Sequence, residues 1–151
     1  MMTTNPSIVS TLNGLIEACQ DGQKGFRSAA ENVRNEDFHL LFSDLSMQRQ
    51  YFARELKRLV VSFGEKAETN GSFSDALHRG WMNLKAVVTS GDDRAILAEC
   101  VRGEDAAVAD YREALKHDEL PPTVRSVIQQ QAMGVEAAHD RVRDLRDRFP
   151  G

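Results

Sequence analysis

Residues 8–33 read IVSTLNGLIEACQDGQKGFRSAAENV, with apolar or small side chains at Ile8, Leu12, Leu15, Cys19, Gly22, Phe26, Ala29 and Val33. The steps alternate four and three. That rhythm keeps one side of a 3.6-residue helix apolar along its whole length, so it marks a helix that packs lengthwise on others. Asn5 is placed to cap this helix and Pro6 to open it, where the N–H that proline lacks has no partner to lose.

Similar stripes return three times. A second helix, capped by Asn35, carries Phe38, Leu41, Phe42, Leu45, Phe52, Leu56, Leu59 and Phe63, and Gly64 ends it. A third seam runs Leu97, Cys100, Glu104, Ala107, Tyr111 and Ala114. A fourth, opened by Pro121 and Pro122, runs Val124, Ile128, Gln131, Val135, Ala138, Val142, Leu145 and Phe149. The spacing predicts long helices over about 6–34, 36–63, 92–117 and 121–148, each roughly 40 Å long at the helical rise per residue. Short links make the first and second, and the third and fourth, antiparallel hairpins. Between the hairpins lies a far longer link. EKAETNGSF (65–73) reads as loop, and a short helix follows over about 74–88, with Ser72 and Asp75 spaced as a capping box and Ser90-Gly91 ending it. Such a link can travel the length of a bundle, and one long crossover between two hairpins is the ferritin-like connectivity. The predicted fold is therefore all-α: a single domain over residues 1–151, a ferritin-like four-helix bundle with a long crossover carrying a short fifth helix.

Composition narrows the function classes. The 151 residues are 41% hydrophobic and 28% charged, enough to bury a core without staples. A formal charge of −4 argues against nucleic acid, whose binding needs clustered Lys and Arg. No apolar run reaches the length of a membrane span, and MMTTNPSIVS lacks the basic and apolar regions of a signal peptide. Cys19 and Cys100 each stand alone in a helical pattern, which reads as buried thiols in a reducing cytoplasm.

The seams turn polar at mid-helix. Glu104 sits at the centre of the third, with Gln23, Gln48, Arg49, Glu55, Gln131, Glu136 and His139 near the middle of the others. A buried carboxylate needs a partner; a metal, Arg49 or His139 would serve. Glu136 and His139 form a Glu-x-x-His pair, whose spacing puts both on one helix face. Di-iron bundles take a Glu from each of two helices and Glu-x-x-His from each of the other two. The first helix offers Glu17, Asp21 and Glu31, all opposite the Leu12–Cys19–Phe26 seam, and the second offers Gln48, Arg49 and Tyr51. The metal reading thus rests on Glu104, Glu136 and His139, an incomplete site for iron or another divalent metal. No bound cofactor is expected, and no residue is assigned a catalytic role. Against it stand a structural polar layer that sets helix register, and a small-ligand carrier using a gap bounded by Gly22, Gly103 and Gly134.

Gly14, Gly22, Gly25, Gly80, Gly103 and Gly134 weaken helix propensity by up to about 1 kcal/mol each, which points to close helix contacts. Trp81, the only tryptophan, reads as the anchor of the short helix. Val60, Val61 and Phe63 supply more apolar surface than one seam needs, which points to a homodimer. The expected function is non-catalytic, through an unidentified protein partner or self-association, in a stress-related role.

Three stretches, LHRGWMNLK (77–85), ECVRGEDAA (99–107) and AAHDRVRDLRD (137–147), together resemble a family of bacterial, mostly proteobacterial, ferritin-like four-helix-bundle proteins of unknown function. The resemblance runs from about Ile8 to Asp147. It implies the ferritin-like fold and a cytoplasmic bacterial protein, and implies no activity. The ligand motifs of di-iron ferritin-like proteins carry over only onto Glu104, Glu136 and His139.

Overall fold

The computed structural model describes residues 6–66 and 79–149, and among them every regular element is helical. The order is α1 (Pro6–Asn32), α2 (Glu36–Ser62), a 3-10 turn (Arg79–Trp81), α3 (Leu84–Ser90), α4 (Asp93–Leu115) and α5 (Pro122–Arg148). The chemistry at the ends explains the bounds. The Asn35 side chain accepts the Phe38 N–H at 3.1 Å, and Asp92 accepts that of Arg94 at 3.0 Å, so each satisfies a donor that the first turn leaves over. Gly64 and Gly91 stop α2 and α3 at φ +79° and +69°, a left-handed conformation that costs glycine little. Arg125 donates to the carbonyls of Leu115 and His117 at 2.9 and 2.6 Å and so closes α4.

The short helix departs from expectation. Before α3 the chain makes a 3-10 turn through Trp81, and α3 begins only at Leu84. The cause is tertiary: Glu99 on α4 accepts the Asn83 N–H at 2.9 Å, which pins the chain just ahead of the helix. The expected start of that helix, with Ser72 and Asp75, and the Asn5 cap lie outside the described residues.

The long helices pack side by side, and contacts at both ends give their directions. Ser7 Oγ meets His117 Nε2 at 2.7 Å, while at the other end the N–H groups of Arg34 and Asn35 donate to the two oxygens of Asp93 at 2.8 and 2.9 Å. α1 and α4 are therefore antiparallel. α2 and α5 are antiparallel as well: Phe38 stacks edge-on to Phe149 at 5.3 Å, and Gln131 donates to Glu55 at 2.8 Å. With short turns inside each hairpin, α2 and α4 run parallel. The link between them must return along the length of the helices.

The described end of that link, from Arg79 onward, packs over the seam between α1 and α4. A Cβ built on Gly25 would lie 2.4 Å from the Trp81 ring, and one on Gly103 2.1 Å from it, so the indole occupies a slot that only two glycines can leave open. A Cβ on Gly80 would likewise lie 2.1 Å from Arg102 O, so the crossover backbone sits directly on α4. Phe26 meets the indole edge-on at 5.1 Å. Gly14 differs, since nothing lies within 4 Å of its absent Cβ. The crossover also explains Asp21, expected on an outward face yet only 7% exposed: it lines a small crevice beside Trp81 and Gly103.

The apolar interior has two parts. One gathers Ile8, Leu12, Leu15, Leu56, Val60, Tyr111, Val124 and Ile128; the other gathers Phe26, Phe38, Phe42, Ile96, Leu97 and Val142. Val60 and Phe63 belong to the first part, and only Val61 of the trio expected to drive dimerisation is exposed. None of the described helices is long and apolar enough to cross a membrane.

Candidate functional site

Polar groups fill the boundary between the two apolar parts. α2 contributes Arg49 and α4 contributes Glu104, and they are 1% and 0% exposed. Arg49 Nη1 donates to Glu104 Oε1 and Nη2 to Oε2, each at 2.6 Å. This is the two-pronged pairing that a planar guanidinium makes with a carboxylate. Arg49 Nε donates to Gln48 Oε1 at 3.1 Å, and the guanidinium carbon lies 5.4 Å from the centroid of the Phe26 ring. Gly22 makes room: a Cβ there would stand 3.2 Å from Arg49 Nη1. Burial opposes the charge on Arg49, but Glu104 outweighs it and raises the guanidinium pKa above its ordinary value.

Beside this pair a second chain of hydrogen bonds links all four long helices. Tyr111 Oη donates to Gln131 Oε1 at 2.7 Å, which leaves the Cys19 thiol to donate to the phenol oxygen at 3.1 Å. Gln131 Nε2 reaches Glu55 Oε1 at 2.8 Å and Phe52 O at 3.3 Å. Burial pushes the Cys19 thiol up to about 11, against a smaller opposing pull from the Tyr111 hydrogen bond. Burial likewise raises Tyr111 and Cys100 well above their ordinary values. None of these groups ionises near neutral pH. In the folded protein at pH 8, both cysteines are expected to resist iodoacetamide for hours and to react within minutes in denaturant. Mass spectrometry of the alkylated chain reads this, and fast labelling of native Cys19 would contradict the burial argument.

Glu136 and His139 face elsewhere. They line a groove of about 310 Å³ between α4 and α5, together with Asp105, Arg112, Asp140 and Arg143. His139 Nε2 meets Asp105 at 2.6 Å and its Nδ1 meets Asp140 at 3.1 Å. Burial pulls the imidazole pKa down, but the two carboxylates outweigh it and raise it. Glu136 pairs with Arg112 at 3.0 Å. Glu104 and Asp105 are neighbours in sequence, but successive helical residues point about 100° apart. His139 reaches Asp105 on the outside, while Glu104 turns inward. The three expected ligands are therefore not brought together, and both oxygens of Glu104 are taken by Arg49. Among the described residues, no group of three or more His, Cys, Asp or Glu stands close enough to hold a metal ion. The gap expected between Gly22, Gly103 and Gly134 is filled by Arg49, Trp81, Phe52 and Gln48.

Glu99 lies outside the apolar seam of α4, yet it is 0% exposed. One of its oxygens holds Arg102 and the other the Asn83 N–H, so it fastens the crossover to α4. Its signal in the sequence is an arginine three residues on, a spacing that also fits an ordinary surface pair.

A search of curated proteins finds no match for the chain. A family profile described as "Domain of unknown function (DUF2383)" matches residues 7–117. The match takes in LHRGWMNLK and ECVRGEDAA and stops short of α5 and AAHDRVRDLRD. Spanning well over half of the sequence, from the first turn of α1 to just past α4, it shows that the chain belongs to the DUF2383 family, whose function is unknown.

Proposed function

We propose that this protein is a ferritin-like four-helix bundle of the bacterial cytoplasm that works by associating with protein, a partner or its own copies, and not by chemistry at its centre. The observation that carries this reading is Arg49. A fixed positive charge stands at mid-bundle, bonded through both prongs to the one seam carboxylate, Glu104. A cation placed there would face the guanidinium and would have to displace it from Glu104. Parallel α2 and α4 joined by a long return link support the ferritin-like connectivity. Two buried thiols without a disulfide support a reducing compartment.

The competing reading is a metal-binding protein that uses Glu104, Glu136 and His139. It requires Glu104 to leave Arg49 and turn toward the outer groove. Metal analysis of protein grown with iron separates the two, followed by thermal unfolding with added Fe(II), Mn(II) or Zn(II). The expected result is no stoichiometric metal and no rise in the unfolding midpoint. Tightly held metal in whole-number ratio to the chain, with a midpoint rise lost in Glu104→Leu, would overturn the proposal and promote the metal site.

A further inference from the structure

α2 carries a second seam on its outer side. Asp37, Leu40, Asp44, Met47, Tyr51, Arg54, Arg58 and Val61 follow one another in alternating steps of three and four. That is the heptad rhythm of a helix that packs on another helix. The inner seam of α2 already faces the core, so this stripe belongs to a different contact. All eight residues are exposed. Leu40 is 56%, Met47 66%, Tyr51 57% and Val61 64% exposed, and Met133 of α5, next to the Gly134 that abuts Phe52 and Gln48, is 70% exposed.

The order of charges along the stripe selects the partner. Its acidic residues lie before Met47 and its basic residues after Tyr51. Reversed about position 49, the stripe sets Met47 against Tyr51, Asp44 against Arg54, Leu40 against Arg58 and Asp37 against Val61. An antiparallel copy of the same helix therefore meets apolar with apolar at the centre and acid with base on either side. A parallel copy would set each charge against its like. Asp44, Arg54 and Arg58 form no ion pair within the chain among the described residues, whereas the charges of α5 are paired at Arg143–Asp140, Arg146–Asp147 and Arg112–Glu136.

We infer that the occupant of this face is a second copy of the chain, docked through an antiparallel α2–α2 pair about a two-fold axis near residue 49. A two-fold contact is self-complementary, so every pairing occurs twice. A helix face roughly 40 Å long and 10 Å wide buries on the order of 800 Å² over both copies. That is below the roughly 1,200 Å² at which standard stable interfaces begin and in the range of weak, transient ones, so the dimer is weak, with a dissociation constant in the micromolar range. The inference rests on the reading of the chain as an association module. Its failure is distinguishable from that of the reading, because the metal measurements above do not depend on oligomeric state.

The test is sedimentation equilibrium of the full chain over a concentration series, with Asp44→Arg, Arg54→Asp, their double charge swap and Met47→Asp. These positions are exposed, and circular dichroism checks that each variant folds. The wild type is expected to pass from monomer to dimer as concentration rises. Each single reversal sets like charges together at two places and is expected to weaken the dimer about tenfold. The charge swap restores both pairings and is expected to return it to within about threefold of wild type. Met47→Asp is expected to abolish the dimer. A chain monomeric up to millimolar concentration overturns the inference. A dimer that the single reversals leave unchanged, or that the swap fails to restore, overturns it too.

Discussion

Replacing Glu104 with Leu is expected to lower the stability of the fold by about 3–5 kcal/mol, the cost of stranding one member of a buried ion pair. The two side chains are of similar volume, so little of that loss comes from a cavity. It comes from Arg49, left 1% exposed with its two Nη groups unmatched. Arg49→Met alone is expected to cost a similar amount, because it leaves a carboxylate buried beside Cys19 and Cys100 with no cation. The two together are expected to recover most of the loss, since an apolar pair of similar volume carries no desolvation cost. Equilibrium unfolding of the wild type, both single variants and the double variant yields the coupling energy directly. A metal-ligand Glu104 would behave differently. Its removal would relieve repulsion in the metal-free protein and raise stability. Additive losses, or a stabilised Glu104→Leu variant, would remove the ion pair as the organiser of the mid-bundle layer.

Gly103→Ala is expected to be among the most damaging glycine-to-alanine changes at the described positions. Its Cβ would stand 2.1 Å from Trp81 Cε2 and 2.6 Å from Nε1, well inside contact distance. The opposite wall of the slot is Gly25, itself already at the limit, so the ring has no room to step back. The indole must leave, and the expected loss approaches the roughly 3–5 kcal/mol of deleting a buried tryptophan. Gly14→Ala supplies the control. Nothing lies within 4 Å of that site, so helix propensity alone acts, and a gain of about 0.5–1 kcal/mol is expected. Because Trp81 is the only tryptophan, its fluorescence reports on the slot: emission should shift to the red in Gly103→Ala and stay unchanged in Gly14→Ala. A Gly103→Ala protein with wild-type stability and emission would mean that the crossover is not held by this slot.

Much of this was legible beforehand. Alternating apolar steps marked the four long helices because burial selects side chains one turn apart, and that rhythm survives in the sequence whatever the helices pack against. Asn35, Gly64 and Gly91 marked ends because each satisfies backbone geometry within a few residues. The length of the link between α2 and α4 was enough to anticipate a return along the helices. Glu104 at the centre of a seam announced a buried carboxylate, and the choice of partner narrowed to a metal, Arg49 or His139.

The remainder depended on which surfaces meet. Arg49 was chosen over His139 because α2 and α4 both turn toward the interior at mid-length, while the rotation of α4 and α5 sends His139 outward to Asp105. Asp21 reads as a solvent residue until the crossover lies over it. Val60 and Phe63 read as surplus apolar surface until the end of α2 closes on the core. Glu99 reads as half of an ordinary surface pair until Asn83 arrives above it. The sequence by itself determined the helices and the polarity of their seams, because those follow from periodicity along one chain. Only the tertiary structure decided the partners, because a side chain's partner depends on the rotation and register of two helices distant in sequence, and burial by a crossing segment leaves no period in the sequence it covers.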